Sequence, residues 1–206
     1  MILLNKTTKK FMKMLDNRVK EIIVNKESLN LYERLKNDLE TTGAKPLEFA
    51  TMIHEIGHLD ASITVGAKLG IIMVDKHCYH YSGGEWLYSM RHGKIFTNCV
   101  FAYIDNNETE NIVAESLVKM YAGGMEFTKS IKDIKPRNWY HRLRVTEHYR
   151  RNSIGISNRK SSDTKILEKL TKHPSLAKEQ NEKLKSSTIH RLMLLSGVST
   201  SLKVVG

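Results

Sequence analysis

The residues best suited to chemistry in this chain form one pentapeptide, His54-Glu55-Ile56-Gly57-His58. Its pattern is H-E-x-x-H. On a helix, positions i and i+4 share a face, so His54 and His58 can offer two imidazoles to one metal ion. Glu55 sits beside that face, placed to act as general base. Zn²⁺ suits two imidazole nitrogens and one carboxylate with a fourth position open, and it lowers the pKa of water toward about 7. Glu55 would take a proton as hydroxide attacks a peptide carbonyl, then hand it to the leaving amine.

Such a site needs a third ligand. The metzincin extension requires Gly three residues after His58 and His six residues after it, where this chain has Ala61 and Thr64, so that class is excluded. Glu85 lies among turn and strand signals. The helix expected over 108–128 offers Glu108, Glu110, Glu115 and Glu126, and the next offers Asp163 in its first turn.

The elements that must hold these residues can be traced by periodicity. Phe11, Met14, Leu15, Val19, Ile22 and Ile23, then Leu31, Leu35 and Leu39, give an amphipathic helical region over 5–41, with a break near Asn25–Ser28. Thr41-Thr42-Gly43 stops it, and Pro46 suits the first turn of a helix running to about Val65. Phe49, Ile53 and Ile56 line one side of that helix, and Gly57 leaves room for another backbone. Residues 69–81, 85–90 and 95–104 read as strands separated by Gly83-Gly84 and His92-Gly93.

Asp105-Asn106-Asn107 caps the 108–128 helix, whose expected buried side carries Ile112, Val113, Leu117, Met120 and Tyr121. The stretch 129–160 is basic. Ser161-Ser162-Asp163 offers an N-cap, Pro174 ends that helix, and a last one covers about 175–195. The fold class is therefore α+β, mainly helical, with a small antiparallel sheet next to the H-E-x-x-H helix. We divide the chain into an N-terminal helical extension (1–45), a metallopeptidase-like domain (46–172) and a basic C-terminal helix and tail (173–206).

Composition narrows the function classes. The 206 residues carry a net charge of +11. Residues 1–130 hold 16 basic and 16 acidic residues, so the whole excess sits beyond residue 130. This asymmetry allows an anionic partner at the C-terminal third, against a plainer reading as a solvated lysine-rich face. No apolar run approaches the roughly 20 residues that span a bilayer. No signal peptide is recognisable and two cysteines make no disulfide scaffold, so we expect a cytoplasmic protein. There is no P-loop and no repeat.

With these elements in place, the chain resembles the peptidase domain of FtsH-type zinc metalloproteases. Thr51-Met52-Ile53-His54-Glu55-Ile56-Gly57-His58 is similar to the family's V-x-x-H-E-A-G-H. Leu117 to Glu126, containing Ala122-Gly123-Gly124, is similar to its helix ending in a glycine pair and acidic residues. Ser161-Ser162-Asp163-Thr164-Lys165-Ile166-Leu167 is similar to the block whose Asp is the third zinc ligand.

The resemblance implies a zincin-like domain with Zn²⁺ as cofactor, held by His54, His58 and Asp163, with Glu55 as base and a protein or peptide as substrate. The family's membrane helices and ATPase module have no counterpart here. A core of this kind would act on flexible or partly unfolded chains, with a separate unfoldase or a homo-oligomer as partner. H-E-I-G-H also resembles the ImmA/IrrE-type metallopeptidases, which act on transcriptional repressors. That likeness implies Glu110 or Glu115 as the third ligand.

Three other features have plainer readings. His77 and His80 in a strand point to opposite faces, which argues against a shared metal. Cys78 and Cys99 are expected as small buried hydrophobes in a reducing compartment. The stretch Lys135 to Arg144 interleaves Trp139 and Tyr140 with basic residues, as a nucleic-acid contact or a pinned loop would. If that contact dominated, the protein would be a non-catalytic binding module.

Overall fold

The computed structural model describes residues 6–44, 46–90, 98–105, 107–132 and 162–195. The basic stretch from residue 133 to 160 and the C-terminal tail, with the expectations attached to them, lie outside the described residues.

The helical period of the first forty residues gives two helices, α1 (Lys6–Ile22) and α2 (Lys26–Thr41). Their corner at Ile23–Asn25 is fixed from a distance. The Asp60 carboxylate accepts the backbone N–H groups of Val24 (3.1 Å) and Asn25 (2.9 Å) and the Asn25 side-chain amide (2.9 Å). Asp60 lies on α3 (Pro46–Thr64), the helix that carries the H-E-x-x-H motif. A buried carboxylate needs such partners, and here they tie the N-terminal helices to the motif helix. Leu15, Val19, Leu31, Leu35 and Leu39 of α1 and α2 pack in one core with Met52, Ile53, Ile56 and Leu59 of α3.

Four strands follow: β1 (Lys68–Val74), β2 (His77–Ser82), β3 (Glu85–Met90) and β4 (Cys99–Tyr103). All pairings are antiparallel, in the order β3-β2-β1-β4. The single strand expected over 69–81 is in fact two strands. Asp75 adopts a left-handed φ of 52° and opens a two-residue turn. Asp tolerates that region better than most residues, and the reversal is marked only by the charged pair Asp75-Lys76 in a run otherwise rich in strand-forming residues. Gly83 and Gly84, both at positive φ, form the second hairpin as the dipeptide suggests.

Alternation along β1 splits the core. Ile72 and Val74 face α2 and α3, while Ile71 and Met73 face the last helix with Leu192. His77 and His80 part as strand geometry requires, His77 Nε2 lying 3.3 Å from Thr42 Oγ1 and His80 Nδ1 2.8 Å from Ser89 Oγ. Cys78 and Cys99 both register with Met73 of the intervening β1. Two strand spacings, about 9–10 Å, are too far for a disulfide. Cys78 is buried as expected, but Cys99 is only half-buried.

The chain then forms α4 (Glu110–Lys132), α5 (Ser162–Lys172), a 3₁₀ turn (Pro174–Leu176) and α6 (Ala177–Leu195). Val113, Leu117 and Met120 of α4 are buried, and Tyr121 is half-buried. Ile112 is 46% exposed, against expectation. It lies five positions before Leu117, about 140° round the helix from it. Helix α6 packs on β1 and β4, and Asn181 closes the end of β4 by bonding both the N–H and C=O of Ile104 at 2.8 Å. The architecture is α+β, a four-stranded antiparallel sheet enclosed by helices. Among the described residues no helix is long and apolar enough to cross a membrane.

Candidate metal centre

Small residues let α3 and α4 approach closely where the histidines sit. A Cβ added at Gly57 would lie 2.6 Å from the Gly123 carbonyl oxygen and 2.8 Å from Phe127. One added at Gly123 would collide with the Gly57 carbonyl and with Ala61. Gly57 thus admits a second backbone, as its place in the motif suggests. Gly123→Ala must push the helices apart, and overpacking of this kind costs about 1–3 kcal/mol. For a chain of this size each kcal/mol lowers Tm by about 2–4 °C, so thermal unfolding is expected to show a drop of about 2–12 °C.

His54 and His58 are one turn apart on α3, with ring centroids 4.6 Å apart and planes at 87°. Their Nε2 atoms are 3.0 Å apart. Asp163 enters from the first turn of α5, where the helix dipole favours an anion. Its helix is anchored by Leu170, buried against Val113, Leu117 and Met120. Asp163 Oδ2 lies 3.3 Å from His54 Nε2 and 3.5 Å from His58 Nε2. Four-coordinate Zn²⁺ with bonds of about 2.0–2.1 Å spaces its ligand atoms by about 3.3–3.4 Å. The donor set and its spacing fit that ion. Among the described residues these three are the group able to hold a metal.

The other ring nitrogens are held by α4. His58 Nδ1 is 2.8 Å from the Met120 carbonyl oxygen. A carbonyl can only accept, so Nδ1 carries a proton, and in the neutral ring Nε2 turns a lone pair toward Asp163. The Gly124 N–H also approaches this nitrogen, at 3.4 Å, but the contact is longer and Met120 decides the tautomer. His54 Nδ1 lies 3.2 Å from Thr128 Oγ1.

Electrostatics follow from burial and proximity. Burial alone would raise the Asp163 carboxyl, but hydrogen bonds with His54 and His58 outweigh it and hold the group well below the usual carboxylate range. Burial would lower the His58 imidazole. The bond that the protonated ring would donate to Asp163, with the charges of Glu55 and Asp163, prevails and raises it. Glu55 is 6% exposed, and burial pushes its carboxyl up, opposed by His58 and His54.

Glu110 and Glu115, the other candidate ligands, are exposed. Glu115 is nine positions before Gly124, about 180° round α4, and Glu110 is ten before Met120, about 15 Å along the axis. The structure therefore gathers Asp163 with the two histidines and leaves both glutamates apart from them. The contributions of Thr128 and the Met120 carbonyl are not apparent from the motif itself. The sequence signal for them is the four-residue stride Met120, Gly124, Thr128 on one face of α4. No family model, no curated protein and no solved structure matches this chain.

Proposed function

We propose that this protein is a zinc-dependent endopeptidase with a zincin-like centre, in which His54, His58 and Asp163 hold the metal and Glu55 is the general base. The observation that carries this reading is the triangle of His54 Nε2, His58 Nε2 and Asp163 Oδ2, with edges of 3.0, 3.3 and 3.5 Å. In neutral His58 a lone pair faces a carboxylate oxygen there, a repulsion that a proton or a metal cation between them relieves. Zn²⁺ bound by these residues supplies a Lewis acid and lowers the pKa of water toward about 7.

Glu55 explains why the centre reads as catalytic. A structural site has no use for a buried carboxylate beside its ligands, whereas a base with a raised pKa can accept a proton from water and return it to a leaving amine. The three ligand side chains keep 12–22% of their surface exposed, which leaves the centre open to a substrate. The substrate class in this reading is flexible or partly unfolded protein, whose chain can reach the centre without being unfolded first.

The test is digestion of an unfolded protein such as casein. Cleavage should stop when a chelator removes the metal and return when Zn²⁺ is added back. Stoichiometric zinc with no cleavage of unfolded chains would contradict the peptidase reading.

A further inference from the structure

We propose that Thr128 is the positioning residue that fixes the tautomer and orientation of His54. This rests on the metal-centre reading but is decided by a separate observation.

Thr128 is buried, with 5% of its surface exposed. Its hydroxyl has one proton and donates it to the Gly124 carbonyl at 2.8 Å, the ordinary back-bond of a threonine within a helix. With that proton committed, Oγ1 can only accept from the imidazole 3.2 Å away. His54 Nδ1 must therefore be an N–H, and in the neutral ring Nε2 is left as a lone pair facing His58 and Asp163. The Met120 carbonyl does the same for His58. The two histidines are thus aligned by one helix, α4, through a backbone carbonyl in one case and a side-chain hydroxyl in the other.

Glycine at 124 serves both parts of the device. A Cβ there would lie 2.5 Å from His58 Nε2 and 2.8 Å from His54 Cε1, so its absence makes room for the rings. Its carbonyl, in turn, orients the Thr128 hydroxyl. A partner that sets a histidine's tautomer typically governs metal affinity by about 10–100-fold.

Thr128→Val keeps the shape and removes the acceptor. Long-range ¹H–¹⁵N spectra of the metal-free protein, recorded where both imidazoles are neutral, report which nitrogen of His54 carries the proton. The wild type should show Nδ1–H. Thr128→Val should move the proton toward Nε2, and Thr128→Ser should restore it. Chelator competition should find zinc affinity weakened about 10–100-fold in Thr128→Val and recovered in Thr128→Ser. A His54 tautomer unchanged by Thr128→Val would overturn the proposal, as would an Nε2–H wild type or unchanged zinc affinity in a folded variant. Absence of zinc binding in the wild type would instead defeat the metal-centre reading, while the tautomer spectra would still decide the role of Thr128.

Discussion

Glu55→Gln is expected to keep one zinc per chain and to lose peptide hydrolysis by about 10²–10⁴-fold, the usual contribution of a positioned general acid–base. The substitution preserves shape, exchanges one acceptor oxygen for an NH₂ donor and removes the basic carboxylate. Glu55 is not among the three residues that could hold a metal ion, so zinc should stay. Its carboxyl is buried and its pKa raised. Replacing a costly buried charge with a neutral amide should leave the fold intact or slightly more stable. Metal analysis, thermal unfolding and cleavage rate, measured on one preparation, separate the three effects. Unchanged cleavage would remove Glu55 from the mechanism. Loss of zinc would mean that the carboxylate holds the site together rather than serving it.

Gly124→Ala should have a large effect on the metal without replacing any of the three residues around it. One methyl group at this position would sit 2.5 Å from His58 Nε2, 2.8 Å from His54 Cε1 and 2.8 Å from the His54 carbonyl oxygen. The clash falls on a ligand atom and on backbone, so it cannot be relieved by moving the end of a flexible side chain. Either α4 recedes from α3 and Thr128 loses its reach to His54, or the imidazoles rotate away from Asp163. Both routes disperse the triangle. Zinc affinity should fall at least as far as the 10–100-fold typical of losing a ligand's supporting partner. Stability should fall by about 1–3 kcal/mol, as for other overpacked interiors. Chelator competition and thermal unfolding read the two losses. Full-affinity zinc binding in a folded Gly124→Ala protein would show that the close crossing of α3 and α4 is not what shapes the centre.

The histidine pair was legible because it is local. A spacing of four residues in a predicted helix places both rings on one face wherever that helix packs. Helix α4 was legible from Leu117 and Met120, and its glycine pair could be quoted as part of a motif. That Gly123 packs against Gly57, and that Gly124 makes space for the rings, depends on two helices meeting, which no single periodicity encodes. Asp163 could be named as a candidate in a first turn. Its arrival beside His54, 109 residues away in sequence, depends on Leu170 docking against α4.

Thr128 was harder to read for a different reason. The stride Met120, Gly124, Thr128 places it on the face toward α3, but its meaning comes from the hydroxyl proton being committed to Gly124. The errors have the same origin. Ile112 counts as apolar but lies off the packed face of α4. The turn at Asp75 interrupts a β-branched and aromatic run without glycine or proline to announce it.

The most direct test of the central claim is zinc content by metal analysis on folded wild type, Asp163→Asn and Glu115→Gln proteins prepared side by side. The account predicts one zinc per chain in the wild type and in Glu115→Gln, with zinc lost or much weakened in Asp163→Asn. A wild type that takes up no zinc after reconstitution, or an Asp163→Asn protein that keeps it undiminished, would contradict the assignment of His54, His58 and Asp163 as the metal centre.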